Sequence, residues 1–91
     1  RDVSPLKRAN LLREMARRVR GCADEFAQLD AHNCGSPLRH LEFEADRCAF
    51  VLEYFAGLVT EMKGASVPQG AGLLSFSVRE PLGVVARIAA F

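Results

Sequence analysis

The apolar residues of this chain change their spacing at Gly64. Before it they recur every three or four positions, and after it Leu74, Phe76 and Val78 alternate with Ser75, Ser77 and Arg79. The first period belongs to helices with one buried stripe, the second to a strand with one covered face. A chain that makes this switch once, late in its length, is committed to packed helices followed by a short β segment. Its 91 residues suffice for one small domain, and 49% apolar with 25% charged residues is an ordinary globular composition.

Three helices are expected. Ser4-Pro5 opens the first, because the serine can accept from free amides of the first turn and the proline has no amide to leave unpaired. It runs to about Arg20, with Leu12, Met15 and Val19 on one face and Arg13, Arg17 and Arg20 on another. Gly21 interrupts it, and Cys22, Phe26 and Leu29 mark a second helix to about Asn33, stopped by Gly35 and Pro37. The third covers roughly Leu41 to Lys63. Its seam is Cys48, Leu52, Phe55, Val59 and Met62, widened by Val51 and Leu58.

Gly64 closes that helix, and Ala65 to Gly72, with Pro68, Gly70 and Gly72, reads as a loop. The alternating strand follows; Glu80-Pro81-Leu82-Gly83 is a turn, and Val84 to Phe91 is a continuously apolar second strand. The β-hairpin is therefore expected at about residues 73–85. An apolar strand with no turn or polar tail after it leaves its pairing groups to be met by other polypeptide.

Charge singles out no partner: 12 Lys and Arg oppose 11 Asp and Glu, a formal net charge of +1. Neither nucleic acid nor a membrane is an expected partner. The longest apolar stretch, Leu82 to Phe91, is interrupted by Arg87 and is half the roughly 20 residues a membrane span needs. Arg1 opens the chain without a basic segment and apolar run of the secretory kind, and three cysteines cannot all pair internally, so a reducing, cytoplasmic setting is expected.

Several groups could carry chemistry and are better explained without it. Lys7, Arg8, Arg13, Arg17, Arg18 and Arg20 could meet phosphates, but Glu14 lies among them, no aromatic interleaves for base stacking, and a solvated helix face accounts for them. His32, Cys34, His40 and Cys48 are metal-ligand types at spacings that form no CxxC or HxxxH pair. Cys48 and Cys22 are expected as small core residues. Cys34 beside His32 lacks an orienting third group for a nucleophile. Glu42, Glu44 and Asp46 sit where negative charge suits a helix start. Gly64, Gly70, Gly72 and Gly83 do not form a GxGxxG or P-loop pattern.

Alone, these residues describe three helices and a hairpin without an activity. The succession RANLLREMARRV, EFAQLDAHNCGSPL, EYFAGLVTEMKG and SVREPLGVVARIAAF, however, resembles the early part of the aldehyde dehydrogenase superfamily over essentially the whole chain. In that family a YFAG-like helix is followed by a G-x-x-x-P connection, here Gly64 to Pro68. A strand then carries an arginine and an E-P-x-G-V sequence, positions filled here by Arg79, Glu80, Pro81, Gly83 and Val84. Gly35-Ser36-Pro37 resembles the family's G-K-P turn, with serine in place of the commoner lysine.

The resemblance implies an α/β parent. The portion present is about three α-helices, a hairpin and, at Ile88 to Phe91, the opening of the first cofactor-domain strand. Residues 1–91 would be the start of the cofactor-binding domain, its helices packing against the sheet, with 73–85 as an oligomerisation hairpin making a homo-oligomer. The helix holding Tyr54 and Phe55 lies near the substrate entrance in relatives, and no contact is assigned to it. The implied chemistry is attack of a cysteine thiolate on a small aldehyde, hydride transfer to NAD or NADP, and hydrolysis of the thioester by water activated by a glutamate. None of those residues falls within the chain: Cys22, Cys34 and Cys48 do not match the nucleophile's motif, and the oxyanion-stabilising asparagine belongs to a segment after Phe91. No catalytic, cofactor-binding or metal-binding residue is therefore assigned, and the chain alone is expected to be inactive. The alternative is a self-sufficient helical module that sets its basic first helix against a phosphate-bearing partner.

Overall fold

Ser4 caps the first helix as its position demands. In the computed structural model, which describes residues 3–88, its hydroxyl accepts from the Lys7 amide at 3.3 Å, and α1 runs Pro5–Gly21. Helix α2, Ala23–Cys34, ends on Gly35 at φ 72°, a left-handed conformation that glycine adopts without steric cost. A single turn, α3 (Leu38–Leu41), follows Pro37 and leads into α4, Glu44–Leu58, which continues as a 3-10 turn over Val59–Glu61. The three expected helices are present, with α3 the piece that periodicity did not show.

Helix α1 lies along α4, antiparallel to it. Ala9 packs with Ala56 and Val59 at one end, while Arg20 meets Asp46 and Glu53 at the other. The buried residues are Ala9, Ala16, Ala27, Ala45, Ala49, Ala56 and Val59, and no large side chain is fully buried among the described residues. Small side chains let two helix backbones approach toward the lower end of the usual 8–10 Å separation.

This overturns the expected seam of the third helix. The observed one is Ala45, Ala49, Leu52, Ala56 and Val59. Its spacing is the same, but it lies three residues earlier, a rotation of about 60° around the axis. Cys48, Phe55 and Met62 fall outside it and are exposed, so Cys48 is not a core residue; nor is Cys22, exposed at the junction of α1 and α2. Likewise Met15 is exposed on α1, and Phe26 and Leu29 are exposed on α2, where Ala27 is buried instead.

The hairpin is also displaced from its expected place. Strand β1 is Ser66–Pro68, inside the stretch read as a loop, and it pairs antiparallel with β2, Leu74–Phe76, through the register Ser66↔Phe76, Val67↔Ser75 and Pro68↔Leu74. Gly70 (φ 110°) and Gly72 (φ 83°) supply the positive φ values of the intervening turn. Proline at an edge forfeits one amide that a central strand would need, which is why Pro68 is tolerated in a two-stranded ribbon. The hairpin's base is clasped: the Ser77 amide donates to the Ala65 carbonyl at 2.8 Å, and the Ala65 amide donates to the Ser77 hydroxyl at 3.0 Å. Gly64 makes this possible, because a Cβ there would stand 1.9 Å from the Ser77 carbonyl oxygen.

Beyond the clasp, residues 77–88 adopt no regular element, so the second strand expected from Val84 is not formed among the described residues. Leu82, Val84 and Ile88 are almost fully exposed. Residues 89–91, the rest of that expected strand, lie outside the described residues. The molecule is long, 64 × 26 × 20 Å, with a radius of gyration of 19.1 Å. A compact domain of this length has a radius near 12 Å. Its accessible surface is 8066 Å², against roughly 5,200 Å² for a folded monomer of this mass.

Candidate functional site

Most of the polar groups singled out in the sequence are occupied locally. Glu14 accepts from Arg17 through both oxygens, at 2.7 and 2.8 Å, and from Arg18 at 2.8 Å. These hydrogen bonds hold its carboxyl down at about 2, well below its ordinary value. Arg13 donates to Asn10 at 3.1 Å. Among the described residues, Arg20 is the basic residue of α1 that bridges to another helix. It grips both oxygens of Glu53, the longer bond being 2.9 Å, and touches Asp46 at 3.3 Å. Glu53 is thereby lowered and Arg20 raised, chiefly through their shared hydrogen bonds. Asp46 and Glu53 are seven residues apart on α4, so both face α1.

Glu44 and Asp46 occupy the first turn of α4, whose amides receive no side-chain cap, and Glu44 also accepts from Arg47 at 3.0 Å. Glu42 instead follows α3, its amide closing that turn on the Leu38 carbonyl. Cys34 at the end of α2 donates its thiol toward the Asp30 carbonyl at 3.0 Å and the Ser36 hydroxyl at 3.2 Å. A thiol so engaged is a helix-end group with no base arranged to take its proton. Among the described residues no three His, Cys, Asp or Glu side chains gather in a way that could hold a metal ion. Among the described residues no helix is long and apolar enough to cross a membrane.

The glycines do not come together at a helix start. Gly70 and Gly72 turn the hairpin, Gly64 admits the Ser77 carbonyl, and Gly83 lies in the extended tail. A dinucleotide phosphate is held where a strand passes through a glycine-rich turn into a helix N-terminus. That order does not occur among the described residues, where every helix precedes the strands.

The prominent surface feature is apolar and lies on α4. With its seam turned to α1, the helix leaves Phe43, Phe50 and Tyr54 along one side and Val51, Phe55 and Leu58 along another, all exposed. Phe50 and Tyr54 are 65% and 56% exposed, one helical turn apart on the same side of α4. The Tyr54 and Phe55 rings meet edge to face, 5.6 Å apart at 79°. Phe43, Asp46, Arg47, Phe50 and Val51 line a shallow hollow beside them. The alanine contact and the Arg20 bridge were missed in the sequence, although Ala45, Ala49 and Ala56 share the helical period and Asp46 and Glu53 share a face.

The sequence profile of the aldehyde dehydrogenase family matches residues 1–91. Among curated relatives, aldehyde dehydrogenase tropH of Talaromyces stipitatus is 37% identical over 87 residues, 92% of this chain and 17% of that protein. The 4-trimethylaminobutyraldehyde dehydrogenase of Mus musculus is 35% identical over 88 residues, covering 97% of this chain and 18% of the relative. 4-Trimethylaminobutyraldehyde dehydrogenase B of Danio rerio is 31% identical over the full 91 residues, again 18% of its own length. The chain thus spans under a fifth of the length of the relatives it matches. No solved structure matches it. Its motifs, its order of helices then hairpin, and the profile match along its whole length agree: the chain belongs to the aldehyde dehydrogenase family.

Proposed function

We propose that residues 1–91 form the opening of the cofactor-binding domain of an enzyme that oxidises a small aldehyde to a carboxylic acid with NAD or NADP. The family match over residues 1–91 carries this reading. The segment's role is architectural: α1 and α4 form a unit joined through alanine, and the large apolar side chains of α4 are presented to the rest of the subunit. No residue of this segment is assigned to NAD or NADP and no step of the reaction is placed here; the helices-then-strands order of the described residues, without a glycine-rich turn from a strand into a helix, supports that assignment. The isolated chain is inactive, and the parent works in the cytoplasm.

The hairpin is proposed as the contact with another subunit of a homo-oligomer, now over residues 66–76 in place of 73–85. Its exposed apolar residues Val67, Leu74 and Phe76 and its free strand edges support that role.

Reading the encoding DNA beyond Phe91 tests the proposal. An asparagine-containing loop should follow at once and a cysteine nucleophile far downstream; the full-length product should reduce NAD or NADP in the presence of an aldehyde. A stop codon directly after Phe91 in an intact gene refutes it. Salt-dependent binding of nucleic acid by the chain favours the alternative of a phosphate-binding helical module.

A further inference from the structure

No further inference is drawn: the strongest candidate, the uncovered apolar face of α4 carried by Phe43, Phe50, Tyr54 and Phe55, belongs to the reading already proposed, and nothing in the structure shows what covers it.

Discussion

Adjacent residues of α4 should respond to substitution in the opposite sense to their size. Ala49 has no exposed surface and lies on the face turned to α1, whereas Phe50, one position on, is 65% exposed. Ala49→Leu adds three carbons at a fully buried position, so α1 and α4 must separate or the leucine must leave its preferred rotamer. Overpacking of this kind costs about 1–3 kcal/mol. Phe50→Ala removes a ring that this chain leaves largely in water and should change stability by no more than about 0.5 kcal/mol. Helical circular dichroism of the 91-residue chain, at low concentration and one fixed temperature, compares the two by the helix signal each retains. Equal losses, or a loss confined to Phe50→Ala, refute the alanine-mediated packing. In the full-length enzyme the proposed reading adds a second contrast, because a ring buried there would cost about 3–5 kcal/mol on truncation.

The Arg20 bridge predicts a pH response with a definite sign. Glu53's folded pKa is depressed, so its contribution is present above the ordinary value of 4.5 and is lost as pH falls through the lower folded value. An NMR titration should place Glu14 near 2 and Glu53 below 4.5, and Arg20→Ala should return Glu53 alone toward 4.5; an unmoved Glu53 refutes the bridge. Gly64→Ala must push the Ser77 carbonyl away, because 1.9 Å is far inside any carbon–oxygen contact, and the Ser77 amide should lose its protection from hydrogen exchange. Retained protection of that amide refutes the clasp. The isolated chain should be loosely folded or should aggregate through its uncovered residues, and a sharp cooperative melt as a monomer contradicts this.

What the sequence made legible was local chemistry. Ser4 with Pro5 and Gly35 with Pro37 set helix ends by hydrogen bonding and φ preference within a few residues, and both ends formed where those residues stand. The facing of the helices was less legible. Around α4, apolar residues occupy most of the circumference, so a stripe with spacing four, three, four, three can be drawn in two places. Weighting residues by size chose the stripe with Phe55 and Met62, whereas contact with α1 is made by the stripe with Ala45, Ala49 and Ala56. The polar pair Asp46 and Glu53 marks the side nearest Arg20, a signal that only a cross-helix partner makes readable.

The hairpin was hidden for a different reason. Strand β1 is three residues long and ends in proline, too short to show a period of two, and its pairing with β2 depends on the turn at Gly70 and Gly72 and on the bare Cα of Gly64. Close backbone approach leaves no hydrophobic pattern. Of the polar groups that invite an active-site reading, Glu14, Arg17, Arg20 and Cys34 are held in ion pairs or helix-end hydrogen bonds.

A helix apolar on nearly every side ordinarily belongs to an interior. Helix α4 satisfies that rule on one side only, where alanines meet α1, and its aromatic sides are left exposed together with an extended tail through Val84 and Ile88. The surplus of accessible surface over a compact monomer, about 2,800 Å², exceeds what a standard protein–protein interface buries in total, roughly 1,200–2,000 Å². Small residues facing α1 and large ones facing away form a division of labour. The first fix the spacing of the helix pair, and the second, on the proposed reading, are covered by surfaces that α1 and α2 do not supply.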